Sequence, residues 1–315
     1  MSMTPSRKIA VVVNPRSAGG KTGRRWRDVQ GRLERRLGPV TARFTDSPGA
    51  GIGLTRELLH EGFDLIVAAG GDGTTHEVAN GFLEDDRAVN PEACLGILPM
   101  GTGGDFRRAV GMSARLDSAI EILAAGVPQT IDLGRATFES LSGGRMSRYF
   151  INLLSFGMGG DVAARSPNLL TGLSGRAAFL WATAQAFLNY QGSHVRLRLD
   201  GGPEQSYFVI NLAVGNGGYH GGGMHPCPLA RLDDGLLEVT VIEHLSGFEL
   251  LRDGRFLYSS NIYRHPKTHH SRARRLTAET DDEAKIEIDG EPLGRLPLEV
   301  VVLPRRLKVI TPPKA

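Results

Sequence analysis

The sequence predicts two domains: an α/β domain built on a parallel sheet, then a mostly antiparallel β domain of sandwich type. Three observations carry this. From the N-terminus to about Gln129, compact apolar runs alternate with segments of helical spacing, as expected for a parallel sheet covered by helices. Beyond Gln129 the runs are short, alternating or β-branched, with turn residues between them. The 315 residues are enough to bury two cores without disulfide staples. The expected domains are residues 1–133, joined by the tail 305–315, and residues 134–304.

The elements follow in order. Lys8–Val13, "KIAVVV", is a compact strand. A helix follows with Trp26, Val29, Leu33 and Leu37 on one face. "VTARF" is a second strand, and Thr45, Asp46 and Ser47 supply helix-start chemistry. "FDLIVAA" is a third strand with a helix over 74–83. "CLGILP" is a fourth, with helices around Phe106 and over 118–125. The second domain contributes "TIDLGRATF", "SRYFINLLSFG", "HVRLRLDG", "SYFVINLAVGN", "GLLEVTVIE", "AKIEIDGE", "LEVVVL" and "RLKVI" as strands. One helical segment, 176–190, interrupts them. No flexible linker separates the domains, so a ligand crevice between them is expected.

Composition bounds the function. Hydrophobic residues make up 41% and charged residues 23%, ordinary for a soluble globular protein, so the 41 glycines stand out. Cys94 and Cys227 are too few for a disulfide framework, which points to a reducing, cytoplasmic setting. The apolar run of "MSMTPSRKIAVVVNP" is too short for a signal peptide, and Pro15 ends it. "AAFLWATAQAFLNYQG" falls short of the roughly 20 apolar residues of a membrane span. Net charge is only +3, yet basic residues cluster at Arg24, Arg25, Arg27, Arg32, Arg35 and Arg36 and in "YRHPKTHHSRARR". Such clusters read either as solvated surface, a helix face and a loop, or as contacts to an anionic lipid surface. No nucleic-acid-binding motif accompanies them. His220, His225, His265, His269 and His270 lack metal-ligand spacing and read as surface or loop residues.

Two glycine-rich turns carry the chemistry. Gly70-Gly71-Asp72-Gly73-Thr74 ends the third strand, and "LPMGTGGDFRRAVG" repeats the design after the fourth, placing Asp105 behind Gly103 and Gly104. Glycines at such turns let backbone N–H groups approach phosphate oxygens. An aspartate there suits Mg²⁺ rather than phosphate, since both are anionic. The competing reading, a turn with an N-cap aspartate, accounts for one glycine but not for those on both sides. Asp132 in "TIDLG" is expected to join Asp72 and Asp105. "NPRSAGGKTG" ends in Gly-Lys-Thr like a Walker A loop, but Pro15 stands where its first glycine belongs. A phosphate-contacting turn and a plain βα turn both remain open.

Together, "GGDGT", the P-x-G-T-x-x-D-F block, "LDDGLLEV" and "IDGEP" resemble the diacylglycerol kinase catalytic-domain superfamily, and within it the bacterial lipid kinases related to diacylglycerol and sphingosine kinases. The resemblance spans nearly the whole chain. GGDGT alone is shared with NAD kinases and, more loosely, phosphofructokinases. It implies a phosphofructokinase- and NAD-kinase-like first domain, and ATP held by Asn14, Pro15, Arg16, Ser17, Ala18, Thr45, Gly71, Asp72, Gly73, Thr74, Thr75, His76, Glu77 and Thr102. It implies a Mg²⁺ network at Asp72, Asp105 and Asp132, and Asp289 with Glu291 at the transferred phosphoryl group, Glu291 taking the proton of the lipid hydroxyl. A second Mg²⁺ would sit at Asp234 and the carbonyls of Arg231 and Leu236. It further implies peripheral membrane contact and a homodimer.

On physical grounds, Asp289 and Glu291 could face one side of a strand end, or Asp289-Gly290 could be a turn. "LDDGLLEV" reads as a hairpin turn as well as a cation loop. The segment 177–188 reads as an acyl-chain wall or as a core helix. The superfamily commonly has Asn where this chain has Gly104, which bears on acceptor choice. Two other functions stay in play: an NAD kinase, though Asn80 is followed by Gly81 rather than Asp, and a lipid- or nucleotide-binding regulator without turnover.

Overall fold

The computed structural model describes residues 7–158 and 192–313. The helical segment 176–190, with its acyl-wall reading, lies outside them. The chain divides into two compact units, Met1–Ile131 with Arg305–Ala315, and Asp132–Pro304.

The first unit runs β1 (Ile9–Val13), α1 (Lys21–Leu37), β2 (Val40–Phe44), α2 (Ala50–His60), β3 (Leu65–Gly70), α3 (Asp72–Gly81), β4 (Leu83–Glu84), β5 (Arg87–Ala88), β6 (Cys94–Pro99), α4 (Asp105–Ala109) and α5 (Leu116–Ala125). Its sheet is parallel in the order β2-β1-β3-β6, and Lys308 and Val309 of the returning tail pair in parallel with Cys94 and Leu95. β1 and β3 are buried along their whole length, as central strands covered on both faces must be. Trp26, Val29 and Leu33 of α1 are buried. Because β1, β3 and β6 are adjacent and parallel, the turns that leave them share one edge of this sheet.

The helix start expected at 45–47 falls later. α2 begins after Gly49, which is left-handed at φ 85, and its first amides are capped by Glu77 from α3. β4 and β5 form a hairpin that the sequence did not signal. Its turn is Asp85-Asp86, both left-handed, closed by Glu84 opposite Arg87.

The second unit is antiparallel throughout. It contains β7 (Val127–Ser140, entering from the first unit), β8 (Arg145–Phe150), β9 (Leu153–Gly157), β10 (Ser193–Leu199), β11 (Glu204–Gly215) and β12 (Leu237–Glu243). After α6 (Gly247–Asp253) come β13 (Thr268–Ala273), β14 (Arg275–Thr280), β15 (Lys285–Ile288) and β16 (Glu291–Thr311), whose end is the tail of the first unit. The path is β13-β12-β11-β10-β14-β16, with β9 bridging β11 and β15. The core gathers Phe138, Phe150, Phe156, Val214, Ile286 and Val300.

Three readings change here. "SRYFINLLSFG" is two strands, β8 and β9, broken at Ile151-Asn152. "LEVVVL" and "RLKVI" are one strand, β16. The basic segment 263–275 is not a loop, since Thr268–Ala273 is the terminal strand of the path, paired with β12. A terminal strand tolerates His, Ser and Arg because much of it faces water. Among the described residues no helix is long and apolar enough to cross a membrane. Cys94 and Cys227 are both buried free thiols.

Candidate active site

The glycines of the two turns have a packing explanation that the sequence alone did not supply. A Cβ on Gly101 would lie 2.3 Å from the Cα of Gly71, and one on Gly70 would lie 2.2 Å from Thr74 Oγ1. The two turns therefore abut backbone to backbone. The Gly70 carbonyl accepts from the amides of both Met100 and Gly101, at 2.9 and 2.8 Å. Thr22 Oγ1 donates to the Met100 carbonyl at 3.1 Å, tying in the turn after β1.

That first turn is self-braced. Asn14 Oδ1 accepts from the Arg16 amide, and Asn14 Nδ2 reaches Thr74 Oγ1 at 3.2 Å. The Ser17 amide donates to the Asn14 carbonyl, and the Pro15 carbonyl accepts from Gly23. Ala18, Gly19 and Gly20 are successively left-handed. Such bends make a concavity that suits an anion.

The remaining predicted nucleotide residues divide into two groups. Thr102 and Arg16 are exposed or half-exposed at the open edge, and Gly71, Asp72 and Gly73 are half-buried there. Thr45, Thr74, Thr75 and His76 are buried. Thr45 extends the β1–β2 pairing through its amide to the Val13 carbonyl, and Thr75 Oγ1 donates to Gly71. Both Glu77 oxygens are taken by the amides of Gly49 and Gly51.

Asp72 is the centre of this edge. Its Oδ2 accepts from the Gly104 amide at 2.6 Å and its Oδ1 from the Asp105 amide at 3.0 Å. Burial first, and then the neighbouring Asp105 carboxylate, push its pKa up, while the backbone donors pull it down. Asp105 is buried and held by Arg108. The close approach depends on glycine: a Cβ on Gly103 would lie 2.2 Å from Asp72 Oδ2. Gly104 sits at φ 125 with Arg107 Nε 2.8 Å from where its Cβ would be. An asparagine at 104 could not adopt this turn without strain. Two carboxylates that repel one another beside open backbone turns fit a divalent cation, whose charge would relieve the repulsion.

In the second unit the carboxylates have other employment. Asp132 is fully buried. Its amide donates to the Leu232 carbonyl, its Oδ2 accepts from Gly235, and its own carbonyl accepts from Asn216. Its visible work is holding the 232–235 turn. Asp234 Oδ1 accepts from the Leu236 amide, and its Oδ2 is paired with Arg272. A cation at Asp234 with the Arg231 and Leu236 carbonyls would have to displace that guanidinium, so the residues as arranged do not fit a second Mg²⁺. No group of three or more His, Cys, Asp or Glu forms a metal cluster among the described residues.

Asp289 is a turn residue and more. Asp289 and Gly290 are both left-handed, closing the hairpin in which Ile288 faces Glu291. The buried Asp289 carboxylate accepts three amides, from Ile151, Asn152 and Leu153, each at 3.0 Å, at the break between β8 and β9. Glu287, also buried, accepts from Gly290 at 2.9 Å and pairs with His220 at 3.2 Å. Glu291 is left exposed at the end of this braced turn.

Sequence reasoning missed Asn152, Asn216 and Glu287. Only Glu287 left a trace, as the lone acid between Ile286 and Ile288. The histidines are not simply surface residues either: His265 is buried against Asp253, and His270 faces Glu238 at 3.4 Å.

The chain is similar to known proteins along nearly its whole length. Residues 8–136 match the family described as the diacylglycerol kinase catalytic domain. Residues 152–311 match the YegS C-terminal NAD kinase beta sandwich-like domain. A diacylglycerol kinase of Staphylococcus saprophyticus is 28% identical over 309 residues, covering 97% of this chain and 96% of that protein. A Chromohalobacter salexigens protein named "Probable lipid kinase YegS-like" is 29% identical over 290 residues, 91% of this chain and 88% of its own. The fold matches a crystal structure of a Bacillus anthracis diacylglycerol kinase at a TM-score of 0.71 and 21% identity, over 98% of both chains. With its two halves matched in order to the catalytic and the C-terminal domain, the chain belongs to the diacylglycerol kinase and YegS-like family of lipid kinases.

Proposed function

We propose that the protein transfers the γ-phosphoryl group of ATP, with Mg²⁺, to a hydroxyl of diacylglycerol or a related lipid at a membrane surface. The supporting observation is the Asp72–Asp105 pair, set between two abutting glycine turns, with the turn after β1 tied to them, at one edge of a parallel sheet. The open backbone of Gly71–Thr74 and of the 14–20 turn orients the donor phosphates. A bound Mg²⁺ would supply charge neutralisation on the phosphates, held by Asp72 with Asp105 behind it. Glu291, the exposed carboxylate of the braced hairpin, takes the proton of the attacking hydroxyl. The new bond forms from that oxygen to the γ-phosphorus as the bond to the β-bridging oxygen breaks, and ADP leaves.

Asp289 acts through Glu291. Its three amide bonds fix the turn that presents the base. The family resemblance favours a lipid acceptor, and a lipid acceptor would bring the protein to a membrane surface. The test is ATP consumption with Mg²⁺ against diacylglycerol, a sphingoid base, phosphatidylglycerol and NAD. Transfer to one of the lipids is expected; transfer to NAD with no lipid product would overturn the reading.

A further inference from the structure

We propose that the first unit carries a second anion site, for a phosphate group, at the opposite ends of the strands from the glycine turns. A cavity of about 290 Å³ lies there, lined by Arg87, Arg305, Arg306 and Lys308, with Asn90 and Thr130 as neutral polar walls. Lys308 pairs with Cys94, the first residue of β6, whereas the turn carrying Gly101 leaves from the other end of that strand. Six strand residues separate the two ends by roughly 17 Å. The cavity is therefore not an annex of the Asp72 edge.

Charge and backbone both single it out. No acidic side chain lines the cavity. Acids of the adjoining segments are engaged elsewhere or with the rim: Glu92 with Lys308 at 2.9 Å, Glu84 with Arg56 at 3.5 Å, and Asp64 with the Lys8 amide at 2.8 Å. With Lys308 offset by Glu92, the arginines Arg87, Arg305 and Arg306 leave the concavity with an excess of positive charge, which an anion stabilises. The convergence has a structural cause. A regular strand would send Arg305 and Arg306 to opposite faces. Arg305 is left-handed at φ 55, a conformation that is unfavourable for any residue but glycine, and the break brings both arginines to the same cavity. Arginine forks match phosphate oxygens in pairs. The ligand chemistry is thus a phosphate monoester or diester, from a free phosphorylated molecule or from an anionic lipid headgroup.

The test uses the full chain with its nucleotide edge saturated by a non-hydrolysable ATP analogue and Mg²⁺. Pyrophosphate is titrated by calorimetry into the parent, Arg87→Gln, Arg306→Gln, and the control Arg25→Gln in α1. The expected result is saturable binding to the parent and the control, weakened by about tenfold or more in each cavity variant. Melting curves check that the variants are folded, since all three replaced side chains are exposed. Absence of saturable binding, or equal affinity in parent and cavity variants, overturns the proposal.

Co-sedimentation with phosphatidylcholine vesicles, with and without phosphatidylglycerol, then assigns the source. Binding to the anionic vesicles that is lost in Arg306→Gln supports a headgroup. Pyrophosphate binding with no such vesicle difference supports a free phosphorylated ligand. Vesicle binding equal in all proteins, without pyrophosphate binding, places the membrane contact elsewhere and overturns the site.

Discussion

Asp72 and Asp289 are both glycine-flanked aspartates whose carboxylates collect backbone amides, yet their surroundings differ. Asp289 receives three amides, and its carboxylate serves to hold Ile151–Leu153. Asp72 receives the amides of Gly104 and Asp105 but also meets the Asp105 carboxylate, and burial makes its charge costly. One carboxylate is engaged by three amides of a strand break, while the other collects two amides and faces a second carboxylate as well. Motif spacing makes them look alike; only their partners tell them apart.

Four substitutions can break or sharpen that contrast. Asp72→Ala should lower phosphoryl transfer by on the order of 100-fold. The change in unfolding free energy should stay within about 1 kcal/mol, because two lost amide bonds are offset by relief of repulsion with Asp105. Activity within a few-fold of the parent would remove Asp72 from the metal role. Asp289→Ala should differ in stability, losing about 3 kcal/mol in urea unfolding by leaving three buried amides without an acceptor, with transfer falling as the turn that presents Glu291 loosens. If stability holds while transfer vanishes, Asp289 belongs with the reacting groups rather than with the scaffold.

Gly101→Ala tests the abutting turns and should cost ~1–3 kcal/mol, with weaker nucleotide binding, because its Cβ would meet the Gly71 backbone rather than a movable side chain. Unchanged ATP affinity and stability would mean the turns are looser than the geometry requires. The smallest effect belongs to Arg272→Ala, expected at up to about 1 kcal/mol for a partly exposed pair. Its melting temperature should rise with added Mg²⁺, while the parent's response to Mg²⁺ should not involve this loop. An Arg272→Ala protein indifferent to Mg²⁺ would show that Asp234 does not take a cation even when freed.

What the sequence made legible follows burial. β1, β3 and α1 could be read because central parallel strands are continuously apolar and an amphipathic helix repeats its buried face. β13 could not, because a polar terminal strand built of His, Ser and Arg imitates a loop. The β8–β9 break was hidden inside an unbroken apolar run, and the residue that enforces it, Asp289, lies 136 to 138 positions away. The Asp72 and Asp105 turns announced themselves through their glycines. The actual partners of Asp132 and Asp234 did not, since hydrogen bonds to Gly235 and ion pairs to Arg272 leave no periodicity to read.

The double acceptance by the Gly70 carbonyl has a kinetic consequence. One oxygen bonds the amides of Met100 and Gly101 while Thr22 ties down Met100, so the turns are already in register before any nucleotide arrives. Little ordering entropy remains to be lost on binding. Nucleotide association should then run at the ordinary encounter rate of a rigid site, without a slow isomerisation phase. Any lag in turnover should arise on the acceptor side of the reaction instead.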